Sequence, residues 1–186
     1  MSNKVFLFVL SISLLLVGAG CNKNDEAAET DRLEQEMERI NEKAEEALEN
    51  DHEYVVSYLE DEELLVIGEN LVDKMWKLGL AKDEDEVLSW MEKIIYDIDY
   101  YGELYLQSFE PGKYKEIKVI QENKEANRYN EAGFIYITDY QVDGTRSDNG
   151  KEELIDEDSY ALDIIYIDED GLFKILFMDW NIERSE

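Results

Sequence analysis

The chain has 186 residues, of which 44% are apolar and 11% aromatic, with 18 Lys+Arg against 47 Asp+Glu for a net charge of -29. That much apolar material excludes a disordered acidic chain and is enough for one core. The acidity argues against nucleic acid and anionic lipid surfaces as partners and favours basic partners or cations.

The first residues, Met1-Ser2-Asn3-Lys4, carry one positive charge. An apolar run from Val5 to Val17 follows, broken only by Ser11 and Ser13. It is shorter than the roughly 20 residues a membrane-spanning helix needs. It ends in Gly18-Ala19-Gly20, directly before Cys21, the single cysteine. A charged start, a short apolar centre and a small-residue exit form a cleavable secretory signal. Leu14 to Cys21 resembles the lipobox of bacterial lipoproteins, with Gly18 standing where the lipobox usually has leucine. The resemblance implies that residues 1–20 are removed and that Cys21 is diacylated. Lipidation would anchor the remainder at the extracytoplasmic face of a cell membrane, at about 0.8 kcal/mol per buried CH₂. A single cysteine leaves no partner within the chain for a disulfide. Only Lys4 is charged before Cys21, so the rest of the chain has -29 - 1 = -30.

Residues 21–30 read as an acidic linker, and 31–186 as a single α+β domain. Within it, 31–50 is an amphipathic helix, 51–110 a helical part and 111–186 an antiparallel sheet. Asp31 is the expected cap of the first helix, with Glu34 as its capping-box partner. Leu33, Met37, Ile40, Ala44 and Ala47 follow in steps of four and three, a seam too short for an independent coiled coil. It suits a helix lying on the body, with a dimerising stalk as the alternative. Asp51 to Glu60 reads as a further helical segment. Leu64 to Trp76 forms another, with Gly79 as a stop. Asp83-Glu84-Asp85-Glu86 places acids at the start of a helix carrying Val87, Trp90, Met91, Ile94, Ile95 and Ile98. After Pro111-Gly112 the apolar period shortens to two. Strands are expected over Tyr114–Glu122, Arg128–Val142, Ser159–Asp168 and Leu172–Ile182. A long polar connection, Asp143 to Asp158, would join the second and third. Asp170-Gly171 between apolar runs is a hairpin signal.

Helices followed by an antiparallel sheet define an α+β fold, with the helices on one face of a curved sheet of about four strands. The order of elements and the closing Leu172-Phe173-Lys174-Ile175 run to Trp180 resemble the NTF2-like (cystatin-like cone) superfamily over Asp51 to Ile182. Many exported lipoproteins of Gram-positive bacteria carry such a domain. The resemblance implies a conical sheet whose interior can hold acids and tyrosines, and it transfers no catalytic residue.

His52 is the only histidine, so a multi-His metal site within the chain is excluded, and a lipidated Cys21 is no nucleophile. No phosphate-binding glycine loop or Gly-x-Ser-x-Gly elbow occurs. Asp97, beside Tyr100 and Tyr101, is a weak acid candidate at the end of a helix. Asp163 is the second. If Ala161, Asp163, Ile165 and Ile167 face inward, it is a buried acid with a raised pKa, a general-base candidate. If they face outward, it is a solvated edge residue. The alternative face, Tyr160, Leu162, Ile164 and Tyr166, is greasier and is the expected inward one. Asp143, Asp148, Asn149, Asp156, Glu157 and Asp158 could offer oxygen to Ca²⁺ but lack the EF-hand spacing. No cofactor or dedicated metal site is expected. The expected role is a membrane-tethered, non-enzymatic binding or accessory domain for a protein partner in a bacterial envelope, with the acidity favouring a basic one. The alternatives are a small-molecule or enzymatic pocket using a buried Asp, and a dimerising stalk.

Overall fold

A computed structural model describes residues 22–49, 55–100, 102, 111–148 and 151–180. The signal, Cys21 and His52 lie outside the described residues. The chain divides into two compact units, Met1–Glu36 and Met37–Glu186. In the first, Arg32 pairs with Glu36 one helical turn away at 3.3 Å. Everything below concerns the second unit unless stated.

Helix α1 runs Asn22–Glu49, so it starts ahead of the cap expected at Asp31. The stretch read as a linker contains Glu26, Ala27, Ala28 and Glu29, all strong helix formers, and propensity carries the helix through it. From Met37 onward the seam is buried: Met37, Ile40, Ala44 and Ala47 join the main core.

The segment expected to be helical over Asp51–Glu60 is only a 3₁₀ turn, Val55–Tyr58, in its described part. Val55, Val56 and Leu59 are buried while Tyr58 is exposed. Helix α2 spans Asp61–Lys77, capped by a reciprocal box between Glu60 and Glu63. A 3₁₀ turn, Leu78–Leu80, follows it. Helix α3 spans Glu84–Ile94, and its cap Asp83 accepts the Glu86 N–H at 2.9 Å. Ile95, expected on this helix, instead forms a parallel bridge with Ile175, and Tyr96 N–H donates to the Ile175 carbonyl at 2.9 Å.

The sheet has four antiparallel strands in chain order, β1 (Tyr114–Arg128), β2 (Gly133–Asp148), β3 (Lys151–Ile167) and β4 (Phe173–Trp180). β1 exceeds its expected end because a register shift between Glu122 and Glu125, with Asn123 at φ 49°, lets pairing resume. Asparagine tolerates that left-handed backbone better than most residues. The expected polar connection from Asp143 to Asp158 is a correction: β2 and β3 stay paired through it, with Asp143 opposite Asp156 and Asp148 opposite Lys151. The polar stretch is paired strand, not a loop, and it buries Ile155. The β3–β4 turn matches its signal. Gly171 sits at φ 82°, and the Asp168 carboxylate accepts the N–H groups of Asp170 at 3.0 Å and Leu172 at 2.8 Å. A three-residue loop ending in a left-handed glycine is a favoured hairpin closure.

The core lies between helices and sheet. β2 contributes Phe134, Tyr136, Thr138, Tyr140 and Val142, and β3 contributes Ala161, Asp163, Ile165 and Ile167. Helix α2 comes close to β2 at Gly68, where an added Cβ would lie 2.2 Å from the Tyr136 ring. Glu63 ties α1 to α2, accepting from Lys43 Nζ at 2.6 Å, Arg39 at 3.4 Å and the Glu60 N–H at 2.8 Å. Arg128 holds the chain before α2 to the sheet, donating to the Leu59 carbonyl at 2.6 Å and pairing with Asp61.

Candidate functional site

The two faces of the sheet offer different chemistry. On the inner face, Asp163 lies opposite Tyr136 on β2 and Met178 on β4 and has no exposed surface. This corrects the expectation from strand alternation, in which the greasier face of β3 turns inward. Register decides the matter. Pairing places Ile165 beside Phe134 and Asp163 beside Tyr136, and the space that Gly68 leaves accepts the Tyr136 ring. Burial drives the Tyr136 phenol well above its ordinary range; a hydrogen bond with Thr138 opposes this, and the charges of Glu69 and Asp163 reinforce it. The protonated phenol donates to Gln121 Oε1 at 2.9 Å, and Gln121 Nε2 donates to the Glu69 carbonyl at 2.9 Å. The Asp163 Oδ2 atom is buried without a hydrogen bond. A general base must come within hydrogen-bond reach of a substrate proton. Neither Asp163 nor Tyr136 exposes any surface to solvent, so in this conformation the pair belongs to the core.

Asp97 does not share that interior. It is exposed, and its Oδ1 accepts the Tyr100 N–H at 3.1 Å, a local cap. Among the described residues no group of three or more His, Cys, Asp or Glu is placed to hold a metal ion. No helix among them is long and apolar enough to cross a membrane.

The outer face carries the residues that sequence reasoning had turned inward. Pairing sets Ile137 beside Leu162 and Ile135 beside Ile164, with Phe177 of β4 next to Ile164. The four aliphatic residues are only partly buried, and Phe177 is 42% exposed. At one end Tyr166 meets Tyr96 edge-on at 6.0 Å and Tyr129 at 6.5 Å. Acids border the apolar centre: Glu125 opposite Ile137, Asp179 opposite Leu162, and the facing pair Glu122 and Asp139. The outer face thus has a partly exposed apolar centre, with tyrosines at one end and acids along its border. The signal for it in the sequence was that both alternating sets of β3 are apolar. A strand covered on one side only leaves the other set for solvent or a partner.

No family model matches the chain, and no curated protein matches it in sequence. Nineteen chains of solved structures match it, among them the following three. The intermembrane-space region of the chloroplast protein ARC6 has a TM-score of 0.44 and 9% identity, covering 62% of this chain and 94% of that one. A nuclear transport factor 2 (NTF2-like) superfamily protein from Salmonella enterica serovar Typhimurium has a TM-score of 0.44 and 8% identity, covering 64% and 94%. An NTF2-like protein involved in plasmid conjugation has a TM-score of 0.39 and 10% identity, covering 63% of this chain and 48% of that one. At these values, function has to be read from the residues.

Proposed function

We propose that this chain is a non-enzymatic accessory lipoprotein of a bacterial envelope, held through Cys21 at the extracytoplasmic face of the membrane and docking a basic protein partner on the outer face of β2–β4. The observation that carries this reading is the partly exposed apolar centre formed by Ile135, Ile137, Leu162, Ile164 and Phe177 within an acidic border. Apolar area supplies the affinity, and the border steers a basic partner and rejects acidic ones. Two acyl chains at Cys21 suffice for stable anchoring. The NTF2-like resemblance of the sheet fits such a role. An enzymatic or small-molecule pocket at Asp163 has one observation in its favour, the buried Oδ2 without a hydrogen bond, but it needs an opening that the Gly68–Tyr136 contact does not leave.

The test is co-purification from intact membranes. The full chain is expected to retain a basic protein that Ile137→Lys and Ile164→Lys each lose by at least tenfold at unchanged chain level. The interaction should weaken as salt screens the acidic border. Equal recovery with the lysine variants would remove this face from the function. Cys21→Ala is expected to release the chain or leave it unprocessed, and a cleaved, membrane-held product would overturn the anchor.

A further inference from the structure

We propose a second site, for a single-chain anionic amphiphile of the fatty-acid class, between the C-terminal turns of α2 and α3. A cavity of about 280 Å³ opens there, lined by Lys74, Lys77, Leu80, Trp90, Lys93 and Ile94. Among the described residues that line it, three of six are cations and none is an acid, in a chain where acids outnumber Lys+Arg 47 to 18. Lys74 and Lys93 are exposed, and Lys77 is held by Asp73 at 2.6 Å. The three ammonium groups can reach the mouth while their methylene stems extend the apolar wall. Leu80, Trp90 and Ile94 supply the rest of that wall.

Cations in the last turn of a helix are favoured by the macrodipole, which by itself explains why lysines occupy these positions. It does not explain an apolar hollow between them. Each helix end contributes only about half a negative charge, so three lysines against those ends and the Asp73 carboxylate still leave the mouth net attractive to an anion. The walls also distinguish among anions. Among the described lining residues, the three uncharged ones, Leu80, Trp90 and Ile94, offer one side-chain donor, the Trp90 indole. A bound peptide would bury C=O groups against that wall with one side-chain donor to meet them, at about 1–3 kcal/mol each. An alkyl chain has no such groups. The volume lies at the small end of ligand pockets, roughly 300 Å³. That suits one alkyl chain with its carboxylate among the lysines. This inference stands on the helices and does not depend on the outer sheet face.

The test is photo-crosslinking of the full chain in its own membranes with a diazirine-bearing laurate analogue, followed by peptide mapping. Label is expected in the segment Lys74–Ile94. Excess laurate should compete it away, and dodecyltrimethylammonium, with the same tail and the opposite charge, should not. The pair Lys74→Glu and Lys93→Glu should reduce labelling at least tenfold, and Lys93→Gln alone several-fold. Both lysines are exposed, so circular dichroism of the variants should match the parent. Three results would overturn the site: label spread evenly over the chain, equal competition by the cationic amphiphile, or unchanged labelling in a folded charge-reversal variant. Competition by phosphatidylglycerol vesicles but not by laurate would also overturn it, because it would assign the lysines to a bilayer surface.

Discussion

The inner and outer faces of the sheet are built from the same strands and from nearly the same kinds of side chain, yet one is closed and the other open. On β3, Ile165 is fully buried under the helices while its neighbour Ile164 is partly exposed on the other side. Hydrophobicity alone does not set which face is covered. The outer set of β3 is the greasier one, and the inner set includes a carboxylate. What closes the inner face is the helical layer: Gly68 admits the Tyr136 ring, and Glu63 fastens α1 across α2. On the outer face the apolar groups of β2–β4 stay partly exposed.

The largest expected effect compares those two neighbours. Ile165→Ala should cost about 3 kcal/mol, because the surrounding core cannot relax into the cavity it leaves. Ile164→Ala should cost about 1 kcal/mol, since part of its side chain already meets solvent. Denaturant unfolding of both variants measures the difference. Equal losses would mean that the outer face is packed as tightly as the core, and the distinction between the faces would collapse.

Gly68→Ala probes the closure itself. In an exposed helix interior alanine gains about 1 kcal/mol over glycine. Here the new Cβ would fall 2.2 Å from Tyr136 Cδ2 and 2.3 Å from Cγ, near the base of a fully buried ring. Overpacking of that kind costs about 3 kcal/mol, for a net loss of about 2 kcal/mol. The penalty should shrink in a Tyr136→Leu background, which a double-mutant cycle would read as coupling. A stabilised Gly68→Ala would show that the helix stands further from the sheet, and would reopen the space over Asp163.

The order of elements was legible in the residues because each announces its own period or punctuation. The steps of α2 and α3, the acids ahead of α3 and the Asp-Gly before β4 are local signals with local causes. The orientation of β3 was not legible, because it depends on register with Phe134 and Tyr136 and on a glycine in a helix distant in sequence. Both faces of the strand were apolar, so alternation could not choose between them. The same ambiguity hid the candidate binding face, whose residues looked like core. The paired strands beyond Asp143 were missed for a related reason: a hairpin rich in charged and polar residues has the composition of a loop.

The smallest effect concerns the fastening of α1, which helps keep the inner face closed. Burial pushes the Glu63 carboxyl up, but the hydrogen bonds from Lys43 and the Glu60 N–H and the charges of Lys43 and Arg39 outweigh it, leaving the group below its ordinary 4.5. A carboxyl whose pKa is lower in the folded than in the unfolded chain contributes stability above the unfolded value and loses it as pH falls through the folded value. The contribution should therefore be complete at neutral pH and fade below about 4.5. Its size should be about 1 kcal/mol, because Lys43 and Arg39 are partly solvated and their charges screened. Protonation of the many surface acids relieves repulsion over the same range and acts in the opposite sense. The informative quantity is thus the stability of the parent minus that of Glu63→Gln, followed by urea unfolding from neutral pH into acid. It should decline as the carboxyl protonates. A difference that stays level through that range would mean that α1 is held by Met37, Ile40, Ala44 and Ala47 alone, and that the inner face is closed by packing without help from charge.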